Sequence, residues 1–460
     1  MTKYHEFKEF IESEAKKFEG EHIRIISHLD SDGIAAASIL VQLCNLLNKS
    51  YSVSILPQLD HDSLIKISKE DNEVFVFSDI GSNQISLINS LMKDKKVFIL
   101  DHHKPENVKT NAVHINPHLF GIDGSTEISG SGVVYLFARA IHEGIKEFSY
   151  IPIIGAIGDV QENKGFKTLN NEILEDALNY KKIRRVKGLN LFGLQTRPLH
   201  KLLEYCTDFN LPGITACESG TIQFLQEIGI NPKDEGRWKK FYDLTGDEID
   251  RLVRGLILRR KNEENPEAII GVRYTLVEER HDSPFYDLKE FSTILNSCGR
   301  LKKYSYGIGA CLGDKKAKKD AIQALSDYKK EIVTFMDWFK KNRGNERVIE
   351  GDNYIIIDGK KNVPATMIGT MASIISKSRL VEKNIFVLGL ARQEKQTKVS
   401  LRISSRNNSV DLRKIISKIT TEVGGESGGH QFAAGAIIDF DKEQDFIKKA
   451  KEVLQESVIS

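Results

Sequence analysis

Four short stretches of this 460-residue chain gather the residue types that bind metal ions. In ISHLDSDGIAAAS (26–38), His28, Asp30 and Asp32 occur at alternate positions where an apolar run gives way to small residues. Asp79 closes the run EVFVFSD, Asp101, His102 and His103 close KVFILDHH, and Asp159 sits in GAIGDVQEN. Carboxylate and imidazole ligands without thiolates suit Mn²⁺ or Mg²⁺ better than a structural zinc. So many carboxylates call for more than one ion, since bare aspartates this close would repel and take up protons. Two ions roughly 3.5–4 Å apart are a device for in-line attack on phosphorus, which makes phosphoester or phosphoanhydride hydrolysis the reaction class to test.

Each stretch also has a plainer reading. Asp32 ahead of Gly33 is placed to cap a helix, and Asp79 ahead of Ile80-Gly81 suits a turn. Asp101-His102-His103 at a strand end has no comparable structural need, and a helix dipole disfavours Asp159 at a helix C-terminus.

Elements that could bring these groups together are visible in the hydrophobic pattern. The runs HIRIISH (22–28), YSVSILP (51–57), EVFVFSD (73–79) and KVFILDHH (96–103) read as strands alternating with helical segments, the pattern of βαβ units and a parallel sheet. Ile34, Ala37, Val41, Cys44 and Leu47 recur at helical spacing after the first strand, and the alanines would let that helix approach the sheet closely. SGSGVVYLFARAIHEG (129–144) and YIPIIGAIGDVQEN (150–163) read as further helices. Ligands of open parallel sheets bind outside the carboxyl ends of the strands, where His28, Asp79 and Asp101 all fall.

From about 165 to 345 the pattern is mostly helical and charged, with basic runs KKIRRVK (181–187), RLVRGLILRRK (251–261) and KKAKK (315–319) that read as solvated helix faces or a track for a nucleic-acid backbone. The last 110 or so residues alternate again: NYIIID, a helix over 364–379, NIFVLGLAR, TKVSLRI, a helix over 410–422, GGESGGHQFAAGAIIDF and a closing helix. Three segments are expected: 1–190, an α/β catalytic domain; 191–347, a helical connector or insertion; and 348–460, a smaller α/β domain.

Composition places the chain among globular proteins, with 40% hydrophobic and 28% charged residues and a net charge of +2 that neither favours nor excludes nucleic acid. Five scattered cysteines lack a C-x-x-C pair, which argues against a disulfide framework and a structural zinc site and for a reducing cytoplasm. The charged N-terminal segment reads as an amphipathic helix without the apolar core of a signal peptide, and no stretch approaches 18 apolar residues, so no membrane association is expected.

Ser27-His28-x-Asp30-x-Asp32-Gly33, Asp79, Asp101-His102-His103 and Gly158-Asp159 resemble, in order and spacing, the motifs of the DHH phosphoesterase superfamily. VSLR (399–402) and GGESGGHQFAAG (424–435) resemble its DHHA1 substrate-binding domain, although Ser427 interrupts the glycine run. SGSGVVYLFARAI, GAIGDVQEN and LFGLQTRPLH are similar to the archaeal RecJ-like nucleases, among them the type that binds the GINS replication complex.

The resemblance implies two Mn²⁺ ions, with Mg²⁺ as the other candidate: one on His28, Asp30 and Asp79, the second on Asp32, Asp79, His102 and Asp159. It implies that Asp101 orients the histidines, that His103 faces the scissile phosphate, and that activated water is the nucleophile, without a covalent intermediate. Ser400, Arg402, Arg406, Gly428, Gly429 and His430 would contact substrate, with the active-site cleft between the two end domains. The implied activity is single-strand-specific exonucleolytic cleavage of DNA, RNA or both, in DNA replication or repair. The alternatives are an oligoribonuclease or pAp phosphatase, whose chains are shorter, and a Cdc45-like scaffold of the replicative helicase working with GINS.

Overall fold

A computed structural model of the chain describes residues 2–163, 165–206, 208–378, 380–404 and 410–457. Internal contacts divide it into two compact units, Met1–Leu325 and Ser326–Ser460.

The first unit opens with α1 (Lys3–Ala15), β1 (His22–His28), α2 (Ser31–Leu46), β2 (Ser50–Leu56), α3 (His61–Ser68), β3 (Val74–Ser78), α4 (Ile85–Leu91), β4 (Lys96–Leu100) and β5 (Val113–Ile115). The five strands form one all-parallel sheet in the order β2-β1-β3-β4-β5. β3 is buried at every position and β4 at all but Lys96, which explains why these strands read as continuous apolar runs with no alternation. The strand order reverses between β1 and β3, so the crevice for a ligand lies where β1 and β3 end.

One face of this sheet is covered by α2 and α5 (Gly130–Ile141); α6 (Tyr150–Gly158) packs against both of these helices and is followed by α7 (Thr168–Asn179). Ile34, Ala35, Ala36, Ala37, Ile39 and Leu40 of α2 are all fully buried, and the three larger side chains each contribute about 1.5–3 kcal/mol of burial. α6 ends at Gly158, earlier than the sequence pattern suggests, because Val160 leaves the helical region with φ +60°.

The remainder of this unit comprises β6 (Ile183–Leu189), α8 (Leu199–Glu204), α9 (Glu218–Glu227), β7 (Lys233–Asp234), β8 (Arg237–Trp238), α10 (Gly246–Arg259), β9 (Ile270–Leu276), α11 (Leu288–Arg300), α12 (Tyr304–Cys311) and the start of α13 (Lys315–Asn342). It is mostly helical, as the sequence suggests, with one correction. KKIRRVK is not helical: Ile183–Lys187 belong to β6, which pairs antiparallel with β9, and the exposed Arg184, Arg185 and Lys187 decorate this two-stranded ribbon. A run of like charge carries no periodicity of its own, and cross-strand pairing with an apolar segment about 90 residues away decides its state. KKAKK lies on α13.

The second unit holds β10 (Val348–Glu350), β11 (Tyr354–Asp358), α14 (Ile368–Lys377), β12 (Phe386–Gln393), β13 (Gln396–Ile403), α15 (Leu412–Val423), β14 (Glu426–His430), β15 (Ala433–Asp439) and α16 (Glu443–Glu456). Its sheet runs β10-β11-β12-β13-β15-β14. α15 and α16 pack on it over a core of Ile356, Leu388, Leu401, Ile416, Phe446 and Leu454. Among the described residues, no helix is long and apolar enough to cross a membrane.

Candidate metal centre

The end of β1 and the start of α2 are fixed by a few polar contacts and one glycine. The Asp30 carboxylate accepts from the Gly33 N–H (3.0 Å) and is the N-cap of α2. Capping therefore falls to Asp30 and not to Asp32, which lies in the first helical turn. A Cβ on Gly33 would collide with the His28 carbonyl and lie 2.7 Å from the His28 Cα, so only glycine lets α2 start this close behind the strand. Ser27 donates to the Gly33 carbonyl at 2.7 Å and ties β1 to the same turn. The Ser31 N–H donates to Asn296 Oδ1 of α11 (3.0 Å).

Asp32 is turned inward and is 1% exposed. Its carboxylate accepts from the Gly130 N–H at 2.6 Å and the Ser131 N–H at 3.1 Å, the first amides of α5, and from the Ser131 hydroxyl. An anion at a helix N-terminus is favourable, and these donors fix the carboxylate's orientation. Cβ atoms on Gly130 or Gly155 would strike the Asp79 and Asp32 carboxylates respectively, so both glycines are needed for α5 and α6 to close on the cluster. Asp79 follows β3 in a left-handed conformation, φ +56°, which is costly for an aspartate and occurs where surroundings over-determine it.

His28 Nδ1 lies 2.9 Å from Asp30 Oδ2 and 3.7 Å from Asp79 Oδ2, yet is aligned for a hydrogen bond with neither. His102 Nε2 lies 3.3 Å from Asp79 Oδ1, 3.4 Å from Asp159 Oδ2 and 3.9 Å from Asp32 Oδ2, also without a hydrogen bond. Both oxygens of Asp79 are buried and unpartnered. The other nitrogen of His102, Nδ1, sits 2.7 Å from the Gly124 carbonyl. A carbonyl only accepts, so Nδ1 carries a proton and Nε2 is the nitrogen that faces the carboxylates and would offer its lone pair to a metal ion, the arrangement of a metal-ligating histidine.

Asp101 is fully buried behind them. Its Oδ2 accepts from the Ser82 N–H (2.9 Å), and its Oδ1 accepts from the His102 N–H (2.8 Å), the His103 N–H (3.2 Å) and His103 Nδ1–H (2.8 Å). These four donors engage both of its oxygens, and its hydrogen-bonded link to the cluster runs through the histidines.

Burial and then the charge of Asp79 push Asp32 up to about 6. Burial, followed by the charge of Asp32, raises Asp159 well above the carboxylate range. Burial opposes protonation of His28, but Asp30 and Asp79 outweigh it and bring the ring up to about 10. His102 is raised against burial by Asp79 and Asp159. Burial would raise Asp101, but the His103 ring holds it well below the carboxylate range. Such a cluster compensates its negative charge with protons, and a bound cation would replace them.

Among the described residues, three sets of ligand atoms lie close enough to hold a metal ion: His28, Asp30 and Asp79; Asp32, His102 and Asp159; and Asp79, Asp101, His102 and His103. Asp79 and His102 each belong to two of them. Apart from the placement of the strand ends, Gly130, Ser131, Gly124, Gly155 and Asn296 escaped sequence reasoning, and the glycines of SGSGVV and GAIGD were the signal available for three of these.

In the second unit, Ser400 and Arg402 lie on β13. Ser400 opposes Gly389 and Gly435, and Gly435 opposes Gly428, giving a row of small residues across four strands. Arg402 Nε donates to Ser373 Oγ at 2.9 Å, and Nη1 donates to the carbonyls of Leu401 (2.8 Å) and Ala434 (3.3 Å). A Cβ on Gly369 would come within 3.2 Å of both Arg402 Nη2 and Ser400 Oγ. Gly429 has φ +123°, and a Cβ there would strike the Ala433 carbonyl. GGESGGH is thus partly strand: Glu426–His430 form β14, with His430 opposite Ala433. Arg406 and the side chain of His430 lie outside the described residues.

Residues 22–156 match the DHH family, N-terminal domain; 191–271 the DHH-CID domain; and 351–456 the DHHA1 domain. An uncharacterized protein of Methanocaldococcus jannaschii is 32% identical over 449 residues, covering 95% of this chain and 94% of its own. RecJ from Thermus thermophilus, in a crystal structure with Mn²⁺, superposes with a TM-score of 0.58 at 14% identity, over 98% of this chain and 55% of that one. CDC45 from Entamoeba histolytica gives a TM-score of 0.63 at 11% identity over 98% of each chain. At these identities the two structures speak for the fold alone.

Proposed function

The chain belongs to the DHH family, in its RecJ-like, DHHA1-bearing form, and from that membership we propose that it is a two-metal exonuclease hydrolysing phosphodiester bonds of single-stranded DNA or RNA. One observation carries the reading: His28 Nδ1, His102 Nε2 and both Asp79 oxygens are buried around one spot with no hydrogen-bond partner. Buried polar atoms are almost always paired, and four orphans among carboxylates and imidazoles suit divalent cations.

His28, Asp30 and Asp79 would hold one Mn²⁺ or Mg²⁺, and Asp32, His102 and Asp159 the second, with Asp79 shared. When bound, such ions polarise the phosphate and acidify water. Asp101 keeps the Nδ1 proton on His103, so the outer Nε2 of this ring is left to meet a phosphate oxygen. Burial disfavours the charged ring, but Asp101 outweighs it and raises His103, which favours the cationic form as charge develops on phosphate. Asp32 and Asp79 are nearly buried, 1% and 2% exposed, so a strand must splay a single phosphate down to them, which a base-paired duplex resists. This supports single strands as substrate. Ser400, Arg402, Gly428, Gly429 and His430 are proposed phosphate and sugar contacts, with the Arg402 guanidinium, held by Ser373 Oγ and the Leu401 and Ala434 carbonyls, supplying fixed positive charge for phosphate.

Digestion of 5′- and 3′-labelled single-stranded DNA and RNA with Mn²⁺, beside Asp32→Ala and Asp79→Ala, tests the reading. Mononucleotide release by wild type and its loss in both variants is expected; unchanged cleavage in the variants would overturn the metal assignment. The motif wording of SGSGVVYLFARAI, GAIGDVQEN and LFGLQTRPLH supports GINS as a partner in DNA replication or repair in the cytoplasm. Co-elution with recombinant GINS checks that partner.

A further inference from the structure

The loop after Asp159 turns in an unusual way. The Val160 N–H donates to the Ile157 carbonyl (3.0 Å) and the Gln161 N–H to the Ala156 carbonyl (2.9 Å), the paired hydrogen bonds of a helix C-terminus that normally takes glycine at the left-handed position. Here the position is valine at φ +60°, a strained choice for a β-branched residue. The turn sends the side chain of Gln161, 5% exposed, back into the unit.

There Gln161 Nε2 donates to the Gly124 carbonyl at 2.9 Å, the same oxygen that accepts from His102 Nδ1. Gln161 Oε1 accepts from Asn170 Nδ2 at 2.6 Å, and Asn170 Oδ1 accepts from the Ser129 N–H at 3.4 Å. This relay begins at a backbone N–H and ends at a backbone carbonyl, so the orientation of both amides is fixed throughout. Ser129 caps α5, whose next two amides hold Asp32.

We propose that Gln161 and Asn170 are positioning residues: their relay pins the Gly124 carbonyl and the N-terminus of α5, and thereby sets the His102 tautomer and the Asp32 carboxylate for metal binding. The inference rests on the metal-dependent reading above and concerns residues that touch neither substrate nor metal. Loss of such outer partners typically weakens metal binding about 10–100-fold.

The test is Mn²⁺ titration by electron paramagnetic resonance, without substrate, on the full chain and two variants. Gln161→Leu removes both amide bonds at similar size. Asn170→Asp is isosteric but cannot donate to Gln161 Oε1, so Gln161 either loses that bond or flips and turns its oxygen toward Gly124. Both variants are expected to melt near wild type in EDTA, to bind Mn²⁺ at least about tenfold more weakly, and to lose kcat with an unchanged KM for the strand. Wild-type Mn²⁺ affinity to within about twofold in either folded variant overturns the proposal. Failure of both to melt cooperatively in EDTA overturns it as well, since the pair would then be a folding element. A wild-type chain that binds Mn²⁺ but cleaves nothing would sink the nuclease reading and leave the relay standing.

Discussion

In the absence of metal, the first unit should lose stability as pH rises, and Mn²⁺ should restore it. Asp32 carries the clearest part of this effect. Its folded value of about 6 exceeds the ordinary 3.8, so its contribution is fully present below pH 3.8 and is lost as pH rises through 6. A difference of about 2 units corresponds to about 3 kcal/mol. His28 acts in the same direction in a higher window: raised from 6.5 to about 10, its contribution is full below 6.5 and fades toward 10. Mn²⁺ at a hundred times its Kd adds about 2.7 kcal/mol, and it does so at neutral pH, where the ligands are deprotonated. Urea denaturation with Trp338→Phe, which leaves Trp238 of the first unit as the only tryptophan, measures this at pH 5 and 7.5 in EDTA and in Mn²⁺. The expected result is a fall of about 2–3 kcal/mol between the two pH values in EDTA, a smaller fall in Asp32→Asn, and protection by Mn²⁺ chiefly at pH 7.5. Equal protection at both pH values, or an unchanged fall in Asp32→Asn, would refute a cluster that exchanges protons for metal.

Other perturbations have equally definite outcomes. Gly33→Ala forces a methyl against the His28 carbonyl and should cost about 1–3 kcal/mol in thermal or urea unfolding, with loss of Mn²⁺ binding as Asp30 and Asp32 shift apart. Glu290 is 4% exposed, and burial raises its carboxyl to about 7; its stability contribution is present below pH 4.5 and lost through 7. Glu290→Gln, which can still accept the Gln195 N–H, should therefore stabilise the unit at pH 8 by up to about 3 kcal/mol and change little at pH 4. Arg402→Lys keeps the charge but loses the guanidinium bonds to Ser373 and to the Leu401 and Ala434 carbonyls that hold it in place, and should raise KM for a single strand about tenfold with little change in kcat, read from steady-state digestion.

By itself the sequence determined which residues stand at strand ends. Apolar runs with period-two or continuous burial identified β1 to β4, and because side chains at the end of a parallel strand have few alternatives to the sheet edge, His28, Asp79 and Asp101 could be assigned to one region. The three-residue β5, the β6–β9 ribbon and the brief extent of α6 were not legible, since each depends on pairing partners or a strained turn far from any local pattern. Roles within the cluster were decided by tertiary structure. Whether Asp30 or Asp32 caps α2 depends on the amides of Gly130 and Ser131, about a hundred residues away, which turn Asp32 inward and leave the cap to Asp30. The tautomer of His102 depends on a carbonyl at Gly124, and the closeness of the carboxylates depends on glycines at 130 and 155 whose missing methyl groups make room for charge. Residue types state what a strand end can bind; donors and clearances from distant helices decide how each group points, because hydrogen bonds and steric contact act over a few ångströms in space and take no account of separation along the chain.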